Sequence, residues 1–193
     1  MTQLDPLSFR PATTTDIDEV VDLVQSAYRG DRSRQGWTTE ADLIDGQRID
    51  ATMLRDLLAE ERTIVLLAET ERLIGCCELS CRHDPAVAYF GMFAVRPDTQ
   101  GNGIGDSLLA EAERTAVELW NVSSMEMVIL HPRTELIAWY ERRGYAATGR
   151  TIDFPYGDER YGRPRREDLR MMQYAKSLDL RHAAAHTEEN PGP

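Results

Sequence analysis

Apolar positions recur along this chain in two rhythms, and their alternation sketches an ordered series of elements. Residues 7–10 read as a short strand ended by Pro11. Thr15 or Asp16 then caps a helix with Ile17, Val20, Val21, Val24 and Tyr28 on one face. Residues 30–46 are polar and irregular, with Trp37 stranded among them, and a loop of this length in a small domain is usually functional. A second helix follows over residues 49–59, apolar at Ile49, Met53, Leu54, Leu57 and Leu58. Residues 63–69 and 73–80 form a hairpin about the turn Thr70-Glu71-Arg72. Residues 87–95 (VAYFGMFAV) are apolar on both faces, as in a strand at the centre of a covered sheet. A glycine-rich loop leads into a long helix reaching about Trp120, striped by Ile104, Leu108, Ala112, Ala116 and Leu119. A strand at 125–130, a helix from Thr134 to a stop at Gly144, and strands at 146–154 and 169–175 complete the order.

Hairpins combined with a single right-handed strand–helix–strand crossover predict an α/β (α+β) three-layer fold and exclude a doubly wound nucleotide-binding sheet. The domain is expected over residues 1–176, with residues 177–193 a polar, disordered tail ending Pro-Gly-Pro. No internal repeat is visible.

Composition narrows the class. At 193 residues, 41% hydrophobic and 28% charged, the chain suits one soluble domain. No run approaches the ~18 apolar residues of a membrane span, and residues 1–19 lack an apolar signal core, so the expected location is cytoplasmic. A net charge of −11 argues against a nucleic-acid partner and is compatible with a cationic amine drawn in by the field. Cys76, Cys77 and Cys81 match neither a disulfide framework nor a metal set, and no metal site is expected. They read as small core residues of a reduced protein.

The stretch RPDTQGNGIGDSLL places Gly101, Gly103 and Gly105 at alternate positions where a helix begins. Unpaired N–H groups and the positive end of the helix dipole suit an anion there, and glycines let a phosphate approach the backbone. Gln100 or Arg96 could add donors from the rim. A P-loop is excluded because no Gly-Lys-Ser/Thr follows, and the dinucleotide fingerprint fails because the spacing is G-x-G-x-G, with Asp106 where its last glycine belongs. A diphosphate cradle and a simple structural turn remain.

The run Gln100-Gly101-Asn102-Gly103-Ile104-Gly105 resembles the Gln/Arg-x-x-Gly-x-Gly/Ala signature of the Gcn5-related N-acetyltransferase (GNAT) superfamily. Tyr140-x-x-x-Gly144-Tyr145 is similar to that family's second signature, and the element order fits from about Leu7 to Lys176. The resemblance implies a central, mixed, mostly antiparallel sheet of about seven strands flanked by about four helices. It implies acetyl-CoA as cofactor, with its pyrophosphate received by the segment Gln100, Gly101, Asn102, Gly103, Ile104, Gly105 and Asp106. The pantetheine arm would pair with orphan backbone groups at Phe93, Ala94 and Val95, one of whose N–H groups would serve the oxyanion. Tyr140 would be the general acid for the departing thiolate, although from its spacing alone a core aromatic is the better reading. Relatives often carry asparagine seven residues before that tyrosine; here Arg133 takes the position and could reach phosphate or carbonyl groups.

The general base is less defined, because the central strand carries no glutamate and has Tyr89 and Phe90 where one is expected. Glu78 is the first candidate, with His83 and Glu40 beside it; His131, next to Pro132, suits a turn. A covalent acetyl-cysteine on Cys76 or Cys77 departs from the family's direct transfer. The acceptor is expected to be an amine of a small molecule or peptide, bound by Trp37, Glu40 and Tyr89 and by residues 154–166. Trp37 could instead pin its loop to the core. The alternative function is a catalytically silent CoA-binding module, and a homodimer is compatible with either reading.

Overall fold

The computed structural model describes residues 6–179. Its centre is a seven-stranded sheet in the order β1-β3-β4-β5-β6-β9-β7. The strands are β1 (Ser8–Pro11), β3 (Thr63–Glu69), β4 (Leu73–Ser80), β5 (Val87–Val95), β6 (Ser124–Leu130), β7 (Ala146–Asp153) and β9 (Arg170–Ser177). Only β5 and β6 run parallel; every other neighbour is antiparallel. The flanking helices are α1 (Ile17–Tyr28), α3 (Ala51–Ala59), α4 (Ile104–Trp120) and α5 (Thr134–Glu141). A four-residue helix, α2 (Gly30–Ser33), a two-stranded ladder of β2 (Ile44–Asp45) with β8 (Arg163–Pro164), and the 3-10 turns Thr14–Asp16, Pro97–Thr99 and Glu159–Tyr161 complete the described elements. This is the mixed, mostly antiparallel three-layer arrangement that the element order implies.

Strand alternation makes the three layers. Val65, Leu67, Cys76, Met92 and Ala94 pack with Val20, Leu23, Val24 and Leu54 of α1 and α3. Their chain neighbours Leu66, Ala68 and Cys77, with Phe90 before the irregularity in β5, pack with Leu108, Leu109, Ala112 and Ala116 of α4 on the other face. Cys76 and Cys77 therefore serve opposite cores, and burial pushes the Cys76 thiol up to about 12. Neither thiol is poised as a nucleophile.

Several boundaries differ from the sequence reading for local reasons. The helix expected over 49–59 starts at Ala51, because Asp50 takes the N-cap and accepts from the Thr52 and Met53 amides at 2.9 and 2.8 Å. Residues 30–46 are not wholly irregular, since α2 and β2 lie within them. Leu119 is 55% exposed, with Leu109 and Val117 buried in its stead, so the apolar stripe of α4 turns away from the sheet in its last turn. Ser177 ends β9, and the Leu178 amide donates to the Ser123 carbonyl at 2.8 Å, so strand pairing runs past the expected domain boundary. The expected tail lies, from residue 180 on, outside the described residues, as do His182 and His186.

Asp16, one of the two expected caps, is the N-cap position of α1, but its side chain turns back into a Thr13-x-x-Asp16 capping box around the 3-10 turn Thr14–Asp16 that leads into the helix. Asp16 takes the Thr13 amide at 2.7 Å and two Arg10 nitrogens at 2.8 and 2.9 Å, while Arg10 also grips Glu69 of β3. The Arg10 bonds hold the Asp16 carboxyl well below the usual carboxylate range, so its stabilisation is present above the unfolded-state value and lost at acid pH. Asp16→Ala should cost about 1–2 kcal/mol in urea unfolding at pH 7. That gap should narrow below about pH 4, the unfolded value of an aspartate. A pH-independent difference would show that the charge is not what matters.

Candidate active site

The site begins where the one parallel ladder ends. β5 and β6 pair at Val87↔Ser124, Ala88↔Met125 and Tyr89↔Glu126, and no further. Beyond Tyr89 the register of β5 against β4 slips between Cys76 and Glu78, with Met92 at φ 46°. A bulge of this kind bends its strand and adds twist, which carries the end of β5 away from β6. Residues 90–95 keep one paired edge and open the other. On that open edge the Phe93 carbonyl accepts the Tyr28 hydroxyl, and the Val95 carbonyl accepts Gln100 Nε2 at 3.0 Å. Side chains thus satisfy carbonyls that a sheet neighbour would otherwise hold.

The glycine loop lies beyond the end of β5. Gly101 and Gly103 have φ of 86° and 78°, the left-handed region that only glycine adopts freely, and a Cβ on either would meet nothing within 4 Å. Gly103 is the N-cap of α4, so the first free N–H groups of a 17-residue helix face this open space. Gly105 serves packing instead: a Cβ there would touch Phe93 and Trp139 at 3.4 and 3.5 Å. The Gln100 side chain is not free at the rim. It also donates to Thr38 Oγ1 and accepts the Trp37 amide, both at 3.0 Å, lashing the 30–46 loop over the cradle. Asn102 Nδ2 bonds the Thr99 carbonyl at 3.0 Å, and Asp106 pairs with Arg143. Arg96 turns away, its Nε bonding the Leu73 carbonyl at 2.6 Å.

Between the splayed strands lies a cavity of about 940 Å³. Glu78, Tyr89, Phe93, Arg133 and Tyr140 line it, so the strand hairpin, the crossover and α5 all contribute. Tyr140 is buried within a ring cluster, edge-on to Trp139 at 4.9 Å and to Tyr145 at 5.7 Å. Its hydroxyl forms no hydrogen bond among the described residues, and burial holds its pKa well above the usual phenol value. Burial likewise raises Glu78, against the opposing charge of Arg82 at 3.2 Å, and lifts Tyr89 to about 12 with Glu78 adding to the effect. The Tyr89 ring covers Gly91, where a Cβ would come within 2.7 Å of it.

Glu40 is where structure and sequence reading part. It does not offer a free carboxylate to an amine. Arg29 NH1 bonds Oε2 at 2.6 Å and Arg133 NH1 bonds Oε1 at 2.8 Å, while Arg133 NH2 also holds the Thr38 carbonyl at 2.6 Å. Burial alone would raise the Glu40 carboxyl; Arg133, Arg48 and Arg29 outweigh it and keep the group ionised. Arg133 is thereby committed to Glu40 and Thr38. Trp37 lies outside the cavity lining, 6.3 Å from Trp139 at the glycine-loop side. His83 borders the cavity; His131 does not, and its Nδ1 faces the Arg170 amide at 3.4 Å on β9.

Tyr28, Arg29 and Arg48 are the cavity residues that sequence reasoning passed over. Their only local sign is position, with Tyr28 and Arg29 closing α1 and Arg48 just before α3. Removing one member of a buried ionic cluster leaves its partners' charge uncompensated. Glu40→Ala should therefore cost about 3–5 kcal/mol by urea unfolding. A loss below about 1 kcal/mol, the scale of a surface pair, would mean that solvent already screens these arginines.

Comparison with known proteins follows this geometry. The family model described as acetyltransferase (GNAT) family matches residues 17–145. No curated protein matches in sequence. Among solved structures, the ribosomal-protein-S18-alanine N-acetyltransferase from Escherichia coli is 16% identical, with TM-score 0.65 over 90% of this chain and 95% of that one. The ribosomal-protein-alanine N-acetyltransferase from Brucella melitensis is 20% identical, with TM-score 0.65 over 89% and 99%. The spermidine N-acetyltransferase from Vibrio cholerae, solved in complex with CoA and spermine, is 14% identical, with TM-score 0.65 over 89% and 95%. At such identities the structures establish a shared fold. The family model spans well over half the chain, and the chain belongs to the acetyltransferase (GNAT) family, which makes it an acyltransferase.

Proposed function

We propose that the protein transfers an acetyl group from acetyl-CoA to an amine by direct attack within one ternary complex. The observation that carries this reading is the parting of β5 from β6 next to a glycine loop with open space above it. One feature offers strand N–H groups to an extended amide-bearing arm, the neighbouring carbonyls of Phe93 and Val95 being already held by side chains, and the other offers helix N–H groups to a pyrophosphate. The fit is favourable because Gly101 and Gly103 leave room where any Cβ would intrude on a bound phosphate. Acetyl-CoA supplies an activated thioester carbonyl.

The chain's own groups then have defined tasks. N–H groups on the open edge of residues 93–95 donate to the carbonyl oxygen as charge builds on it. Tyr140 keeps its proton at neutral pH because burial disfavours the phenolate, so its hydroxyl can protonate the departing thiolate. Glu78 lines the same cavity, and its raised pKa brings a carboxylate nearer to the amine proton it must accept, directly or through water. The charges acting on it are Arg82 and Arg48 in favour of ionisation and Glu60 against.

The test is release of free coenzyme A from acetyl-CoA in the presence of an amine panel. Saturable coenzyme binding without transfer to any amine would point to the silent binding module instead. Tyr140→Phe should lower kcat by about 100-fold or more with little change in KM for acetyl-CoA, and full turnover across pH would remove the acid role. Glu78→Gln should abolish the rise of kcat/KM with pH. In the parent protein that rise should centre above the ordinary carboxylate value of about 4.3, because burial raises the group. Gly103→Val should weaken coenzyme affinity by more than its backbone strain of about 1 kcal/mol lowers stability. Unchanged affinity would contradict the cradle.

A further inference from the structure

Three guanidinium groups surround one carboxylate in the cavity. Arg29 and Arg133 bond the two oxygens of Glu40, and Arg48 acts on the same group through space. The other acids of the lining have engagements of their own. Glu78 and Glu60 pair with Arg82, and Glu126 accepts the Gln173 amide at 2.7 Å. Asp84 and Asp153 are exposed. Arg48 feels Glu40 and Glu78 through space but bonds neither, so among the described residues its N–H donors are left without an acceptor.

Arg48 is the one arginine of this cluster that is bonded to no carboxylate. Its guanidinium makes no hydrogen bond or ion pair among the described residues. Its one close contact is the Tyr28 ring, 5.5 Å from the centroid, and Arg133 lies 5.4 Å from the same ring. Two cations on one ring repel each other, and neither can shed its proton. The cluster also contains Arg29 Nε, a fully buried nitrogen without a hydrogen-bond partner. Five N–H donors in a planar fork suit a carboxylate or phosphate, which accepts two of them side by side. A polyamine, by contrast, would bring more positive charge to the same arginines.

Resting on the acetyl transfer proposed above, we infer that the acceptor amine carries an oxyanion, which docks on Arg48 between the end of α1 and the start of α3. The acceptor then spans the cavity, its anion at Arg48 and its amine towards Glu78. No covalent chemistry is added; Arg48 positions the acceptor and sets specificity.

Matched acceptors test this: L-amino acids against their carboxamides, and phosphoethanolamine against ethanolamine. The anionic member of at least one pair should be preferred by about tenfold or more in kcat/KM. The pair that shows it separates carboxylate from phosphate. Arg48→Gln should collapse that preference by about tenfold through KM, and Arg48→Lys, which keeps charge without the fork, should restore part of it. Preference for the neutral members, or equal loss for both in Arg48→Gln, would overturn the inference. If no amine is acetylated, the transfer reading fails first, and binding still decides this one. In the presence of coenzyme A, N-acetylated amino acids or N-acetyl-phosphoethanolamine should raise the Tm of the parent protein, and not of Arg48→Gln, whereas their neutral counterparts should not. The absence of any such shift would overturn the anion site independently.

Discussion

The structure is organised around a pair of parallel strands that stop pairing halfway along. An interrupted ladder inside a sheet is costly, because each exposed N–H and C=O needs a partner. Here the debt is met from three directions. The bulge at Met92 lets β5 stay bonded to β4 while it bends away from β6. Tyr28, the last residue of α1, takes the Phe93 carbonyl, and Gln100 takes that of Val95. Each satisfier brings its own surroundings with it. Gln100 ties down Trp37 and Thr38, Thr38 holds Arg133 through its carbonyl, and Arg133 fixes Glu40. The cradle, the covering loop and the ionic cluster are thus linked through a few bonds to the open edge of one strand.

This chain of dependence explains the division between what the sequence disclosed and what it concealed. The central strand, the glycine turn, the helix after it and the helix bearing Tyr140 were legible because each rests on local spacing. The loop's own division of labour was not. Gly101 and Gly103 are favoured by backbone angle, whereas Gly105 has an ordinary helical angle and lies in contact range of the Phe93 and Trp139 rings, of which Trp139 is distant in sequence. The bulge could not be read either, since Met92 occupies a conformation that methionine seldom adopts and no pattern marks it. Periodicity also sends charged residues to solvent by default, which hid Arg29 and Arg48 and left Glu40 looking like a free acid on a polar loop.

The two aromatic residues of that loop region show how placement changes meaning. Trp37 and Trp139 stand 6.3 Å apart, and the Arg143 guanidinium lies 3.6 Å from the Trp139 centroid while also pairing with Asp106 of α4. The rings therefore form a wall beside the glycine loop. Between Trp37 as an amine-binding group and Trp37 as a fastener for its loop, the contacts favour the fastener.

The charge distribution carries the same lesson at larger scale. A net charge of −11 creates a long-range field that favours cations, yet exposed charges are screened within about 10 Å at ordinary ionic strength. Inside the cavity the low dielectric strengthens each pairing, and three arginines act on the one carboxylate of Glu40. Long-range attraction can bias which molecules approach, but the groups that remain unpaired after folding decide which of them stays. In this cavity those groups include the Arg48 guanidinium and the Tyr140 hydroxyl, the first suited to an anion and the second to a proton acceptor.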